Sequence, residues 1–305
     1  MGHRFRSSLG FKLPLGWRQQ QAEGRLPGFE GDVYAYLGEC GFDYAEFGFG
    51  LTLGDNAAVE ALVADEAAAC AEAGLAVAIH PGPGEEENAS AAWFGPSVDE
   101  QPGVEPVLRA AHVAAEASGR EVVVVLHPAQ RVYDPKCDNV QELRDDVVRR
   151  SRFFFAALER AVERTEQAVR PVAEHQLPPD PDEPLIRVGD TWGELLEVLA
   201  DCDLGACWDT GHYILAVQRH GQEPEPPQRF LRRVTHVHLH DVVEGRDHRP
   251  VERGSARPRR YLDLLSASGF AGGITLEYAA DGVVAAGGPE AVLREAPEVL
   301  AGSRP

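Results

Sequence analysis

The chain has 305 residues, 44% of them hydrophobic, and a formal net charge of −20 from 49 acidic against 29 basic side chains. The apolar share is enough for a sizeable core, and the acidic balance argues against a nucleic-acid partner, because phosphate backbones are bound largely by Lys and Arg. No stretch approaches the roughly 18 apolar residues of a membrane helix, and residues 1–10 lack the apolar segment of a signal peptide, so a cytoplasmic protein without membrane attachment is expected.

Short apolar runs alternate with longer amphipathic ones. In chain order the runs read as strands at 4–12, 44–48, 76–80, 122–127, 170–174, 204–208, 235–240 and 273–277. Several are continuously apolar, as strands covered on both faces should be. Helices are predicted between them at 27–41, 56–73 (ended by Gly74), 104–118 and 143–167, then from a cap at Asp190 or Thr191, and at 213–220, 259–268 and 289–300. Thr191 and Glu194 fit the S/T-x-x-E capping box. The Pro-rich stretches 177–185 and 222–228 read as loops. Strand-helix alternation without a change of composition predicts an α/β fold with one domain over residues 1–305, a single (β/α)8 TIM barrel; a doubly wound open sheet is the alternative.

The five cysteines, Cys40, Cys70, Cys137, Cys202 and Cys207, are odd in number and lack CxxC spacing, so neither a disulfide framework nor a thiolate zinc site is expected. Arg246, Arg249, Arg253, Arg257, Arg259 and Arg260 form a local basic cluster, for which a solvated loop and helix start is an equally good reading.

The informative pattern is where the polar residues fall. Strand two carries Glu46. Strands three and four end at His80 and His127, strand five at Glu174-His175, and strand six at Trp208-Asp209. Strand seven ends His236-Val-His238-Leu-His240-Asp241 and strand eight at Glu277. In a parallel barrel all strand C-termini meet at one rim, where barrel enzymes place their sites. A lone histidine there is more often structural and a lone glutamate more often a rim salt bridge, but seven rim positions behaving alike points to a metal site. Converging carboxylates repel one another, and a divalent cation offsets that cost. His236, His238 and His240 share one face of their strand, and His236, the deepest, is expected to be structural. Oxygen and nitrogen ligands without thiolate suit Mn, Zn, Co, Fe or Mg.

The runs Cys207-Trp-Asp-Thr-Gly-His212, His236-Val-His-Leu-His-Asp241 and Ile274-Thr-Leu-Glu-Tyr278 resemble the xylose isomerase-like TIM-barrel superfamily of sugar phosphate isomerases and epimerases, with endonuclease IV as a relative. The resemblance runs from strand two to strand eight. In the epimerase branch it implies one metal held by Glu174, Asp209, His238 and Glu277, with Glu174 and Glu277 also acting as acid and base, and His212 at the substrate. In the endonuclease IV branch it implies three zinc ions, with matches at His80, His127, Glu174, Asp209, His212, His238, His248 and Glu277. That branch's D-x-H motif is broken here, since Arg246 stands at its Asp and the acid is shifted to Asp247.

The expected activity is therefore isomerisation or epimerisation of a sugar, polyol or related hydroxy-carbonyl compound, one glutamate removing the proton beside a metal-bound carbonyl and the other returning it. His80, His127, His175, Trp208, His212, His240 and His248 are candidates to line the substrate pocket. Trp17, Phe47 and Trp93 are wall candidates for which core packing is the better reading. A second or third ion at His80 with His127, or at His212 with His248, is left open, as is assembly into a homo-oligomer. The rival activities are zinc-dependent phosphodiester cleavage at abasic DNA and a metal-stabilised binding module without turnover.

Overall fold

Apolar, β-branched runs too short for helices pair with one another to form the centre of the molecule. The computed structural model describes residues 7–23, 31–84, 93–165, 168–252 and 255–301. Eight parallel strands, one to eight in chain order, close into a ring: Ser8–Pro14, Tyr44–Leu51, Ala76–Pro83, Val122–Leu126, Val169–Glu174, Gly205–Asp209, Val234–Leu239 and Gly273–Leu276. Strand one pairs with both strand two and strand eight, which closes the sheet and overturns the open-sheet alternative. The fold is a (β/α)8 TIM barrel. The predicted strand positions 4–6, helix positions 27–30 and 166–167, and Arg253 lie outside the described residues.

Alternation along each strand divides the side chains. Phe11, Phe47, Ile79, Val124, Ala173 and Val237 face outward and join the main core between barrel and helices. Val125, Val172 and Cys207 form a small separate apolar cluster inside the barrel. Trp208 lies between inward-facing Cys207 and Asp209, so it faces outward. Fully buried, it packs against Tyr261, Tyr213 and Phe230 at ring-centroid distances of 4.8, 5.6 and 6.2 Å. The expectation that Trp208 lines the pocket is corrected by that one-residue phase. Trp17, Phe47 and Trp93 are also buried core residues.

The helices follow the predicted pattern with shifted ends. The helix after strand six is Thr210–His220, starting three residues early because Asp209 caps it, accepting from the His212 amide at 2.7 Å. Thr191 caps Trp192–Val198 through the Glu194 amide. Glu194 does not complete the box; its carboxylate accepts from the Gly189 amide and from Arg144. Short helices at Trp17–Ala22, Gln228–Leu231 and Ala280–Ala285 carried no periodic signal long enough to read.

Two small antiparallel ribbons were not predicted. Gln130–Val132 pairs with Leu185–Arg187. Asp241–Val243 pairs with Arg246–Arg249 through a two-residue turn, Glu244 (φ 53°) and Gly245 (φ 74°). Positive φ at both central residues is the geometry whose twist suits a hairpin. Glu at the first of them is a poor sequence signal, which is why the ribbon was not legible. It returns the chain to the rim and delivers Asp247 and His248 there. Among the described residues no helix is long and apolar enough to cross a membrane.

Replacing Trp208 with Ala removes a large buried ring from the barrel–helix interface and is expected to cost about 3–5 kcal/mol in urea denaturation. A cost below about 1 kcal/mol would count against this packing role.

Candidate metal centre

Glu174, Asp209, His238 and Glu277 come from the ends of strands five to eight. Register sets His238 opposite Asp209 on one side and Thr275 on the other. Each offers one ligand atom, and these atoms all lie within 4.8 Å of one another. His238 Nδ1 is 2.7 Å from Glu277 Oε2, 3.3 Å from Glu174 Oε1 and 3.8 Å from Asp209 Oδ2. Both Glu174 oxygens, His238 Nδ1 and Glu277 Oε2 are buried without a hydrogen-bond partner among the described residues. Orphaned polar atoms facing one another are costly to bury, and three carboxylates with one imidazole nitrogen are a donor set that fits a divalent cation.

A second layer holds these ligands. Glu46, fully buried on strand two, reaches across the barrel: its Oε1 is 2.9 Å from His238 Nε2, and its Oε2 is 3.1 Å from His236 Nε2. Thr275 donates to Glu46 at 2.6 Å. Neither Glu46 Oε1 nor His238 Nε2 has a hydrogen-bond partner among the described residues; the far nitrogen is the place from which a carboxylate steadies a ligating histidine. Burial alone would raise the Glu46 carboxyl, but His238, His236 and His80 hold it well below the usual range. Burial opposes charge on His238 too, yet the carboxylates of Glu46, Glu174 and Glu277 push it well above the ordinary histidine value. Cys207 sits within ligand reach of Glu174 and His238; burial pushes its thiol up to about 12, which leaves it protonated.

Asp209 has its own support. The His248 amide donates to His240 Nδ1 at 2.8 Å. That makes Nδ1 the acceptor and puts the ring proton on Nε2, which donates to Asp209 at 3.0 Å. Gly211 leaves room for this ring, since a Cβ there would lie 2.0 Å from His240 Cε1. His212 Nδ1 donates to the His175 carbonyl at 2.9 Å, so its Nε2 carries the lone pair, 3.8 Å from Asp247 Oδ2. His248 stacks on His240 at 4.3 Å and places Nε2 3.3 Å from Glu277 Oε1. Burial disfavours its charge, but Asp247 and Glu277 hold it up at about 10.

The opposite side of the centre holds His80 and His127, each with Nε2 3.3 Å from Glu174 Oε2, and Lys12. Lys12 Nζ donates to Glu277 Oε1 and to His80 Nδ1, both at 2.6 Å. Burial lowers the Lys12 ammonium and Glu277, Glu46 and Glu174 more than restore it, so it stays cationic.

The structure thus brings the four expected ligands together, with His80 and His127 on Glu174, His212 and His240 on Asp209, and His248 against Glu277. His175 is not among them. It points away from Glu174, fully buried 5.6 Å from the Tyr213 ring, with neither ring nitrogen hydrogen-bonded among the described residues. Lys12 was missed, and Glu46 was noted without a role. Alternation held the signal for Lys12: Leu9, Phe11 and Leu13 take the buried outer face, which leaves Gly10 and Lys12 for the inner one. Of the basic cluster, Arg246 and Arg249 face Asp281, and Arg260 pairs with Glu225. An open cleft of about 640 Å³ adjoins the centre and shares Asp247 with it, lined also by Arg187, Arg219 and Arg249.

Residues 34–302 match the family model described as xylose isomerase-like TIM barrel. No curated protein matches the chain. Among solved structures, a candidate sugar phosphate isomerase/epimerase from Anabaena variabilis superposes with a TM-score of 0.62 at 15% identity, over 97% of this chain and 98% of the other. A D-psicose 3-epimerase crystallised with D-fructose gives 0.53 at 12% identity, over 96% and 97%. A sugar phosphate isomerase/epimerase from Parabacteroides distasonis gives 0.50 at 15%, over 97% and 96%. At such identities the likeness is one of fold.

His175 and His236 are kept neutral in the fold. Burial, then His212, lowers His175 to about 3, and burial lowers His236. The unfolded chain therefore binds more protons below about pH 6.5. Stability is fully present above that value and falls as pH drops toward the folded one. Calorimetry of metal-free protein from pH 7 to 4 should show a falling melting temperature, with a shallower slope in His175→Phe. An unaltered slope in that variant would count against the assignment.

Proposed function

The chain belongs to the xylose isomerase-like TIM-barrel family, and we propose that it is a divalent-metal-dependent isomerase or epimerase of a sugar, polyol or related hydroxy-carbonyl compound. The observation that carries this reading is the pair of glutamates from strands five and eight, Glu174 and Glu277. Each has a buried oxygen without a hydrogen-bond partner among the described residues, and both belong to one donor set with Asp209 and His238.

A divalent ion held by Glu174, Asp209, His238 and Glu277 would supply Lewis acidity toward the substrate carbonyl and its neighbouring hydroxyl. Glu174 and Glu277 do the proton transfer. One carboxylate removes the proton from the carbon beside the carbonyl, and the electron pair moves onto the carbonyl oxygen. The other carboxyl, once protonated from solvent, returns a proton to the opposite face for epimerisation or to the neighbouring carbon for isomerisation, as the electron pair moves back from the oxygen. Both start ionised: burial opposes their charge, but His238 beside Glu174 and Lys12 beside Glu277 outweigh it. Glu46 and His240 keep His238 and Asp209 aimed, and the partly exposed His127 and His248 stand where an entering polyol would meet hydrogen-bonding groups. Zinc-dependent phosphodiester cleavage is not favoured. Arg246, in place of an acidic ligand, faces Asp281 at 3.6 Å.

A panel of ketoses, aldoses and polyol ketones with Mn²⁺ in deuterated water tests this. The wild type should exchange the proton beside the carbonyl, and Glu277→Ala and Glu174→Gln should each lose about 10²–10⁴-fold in rate. Undiminished turnover in Glu277→Ala would remove the proposal. Elemental analysis should find about one metal equivalent, whereas about three would restore the nuclease reading.

A further inference from the structure

His80, His127 and Glu174 form a second group whose ligand atoms lie within 4.8 Å of one another. Two imidazoles and a carboxylate are a three-ligand set of the kind that holds zinc. To act in it, His80 would have to present a lone pair on Nε2, the nitrogen 3.3 Å from Glu174 Oε2.

Lys12 prevents that. An ammonium has three donors and no acceptor. With Lys12 Nζ 2.6 Å from His80 Nδ1, Nδ1 is the acceptor and the proton of the neutral ring sits on Nε2. That nitrogen, 3.3 Å from Glu174 Oε2, then carries the proton and has no lone pair to offer a cation. The same ammonium takes Glu277 Oε1 at 2.6 Å, leaving Oε2 for the group around His238. Strand register sets Lys12 beside Glu46, so its position is built into the barrel wall.

We propose that Lys12 keeps the centre mononuclear, by holding the His80 proton on Nε2 and so closing the ion site that His80, His127 and Glu174 would otherwise form. Lys12 acts through His80 and is a positioning residue. The inference rests on the metal-dependent reading above. It also accounts for His80, a histidine that a one-metal enzyme does not need as a ligand.

The test is zinc stoichiometry, by equilibrium dialysis and elemental analysis of the full chain, in the wild type, Lys12→Met, Lys12→Gln and Lys12→Arg. The wild type and Lys12→Arg, which keeps charge and donors, should bind about one equivalent, and the two neutral variants about two. Adding His80→Asn to Lys12→Met should return the count to about one, which assigns the extra ion to His80. A structural role alone would not raise stoichiometry. One equivalent in folded Lys12→Met or Lys12→Gln, or two in the wild type, overturns the role of Lys12. No bound zinc in the wild type overturns the metal reading instead, and this inference with it.

Discussion

Four carboxylates, those of Glu46, Glu174, Asp209 and Glu277, are enclosed in the mouth of one barrel, and their mutual repulsion is the constraint that the rest of the structure answers. Carboxylates buried together cannot all ionise unless positive or donating groups are set between them. The barrel supplies those groups from the same inward-facing positions. His238 lies between Glu46 and the three ligands, His240 donates to Asp209, and Lys12 bridges Glu277 and His80. What these leave unsatisfied includes Glu174 Oε1 and Oε2, Glu277 Oε2 and His238 Nδ1, gathered around a common point, a donor set whose chemistry fits a divalent cation.

The local motifs serve this arrangement. In Asp209-Thr-Gly-His212, the Asp caps the following helix and accepts from His240, Thr210 binds the His240 carbonyl, Gly211 makes space for the His240 ring, and His212 is turned by its bond to the His175 carbonyl. The hairpin after strand seven then folds back so that the His248 amide fixes the tautomer of His240. One hydrogen bond from a main-chain N–H thus decides that the His240 nitrogen facing Asp209 carries the proton Asp209 accepts. Such dependence explains why the centre draws on strands one to three and five to eight, with His127 just after strand four, and why it cannot be assembled from any single segment.

The two sides of the centre are unequal. Around Asp209 the histidines are locked by main-chain groups and by stacking. Beside Glu174, His80 is set by one lysine side chain, which a single substitution can remove. The partly exposed groups, Lys12, His127, Asp247, His248 and Glu277, line the mouth, whereas Glu46, His236, His238 and Asp209 are sealed below it. Of the two glutamates from strands five and eight, Glu277 stands at the boundary with solvent and Glu174 is sealed below it.

The amino-acid sequence by itself determined the barrel and the membership of its rim. Parallel strands buried on both faces must be apolar, their ends must meet at one face, and polar residues repeating at those ends stand out against the apolar background. It also carried the phase that turns Lys12 inward and Trp208 outward, but one lysine in a strand with a weak apolar pattern, or one tryptophan beside an aspartate, does not reveal its phase until the strand limits are known. The tertiary structure alone decided the pairings. Which oxygen of Glu277 meets Lys12, which nitrogen of His80 or His240 holds the proton, and that Glu46 stands behind His238 are set by distances across the barrel between residues up to 265 positions apart, and separation in sequence carries no information about such distances. The hairpin that delivers Asp247 and His248 was likewise hidden, because its turn places a glutamate in a conformation that its chemistry does not advertise.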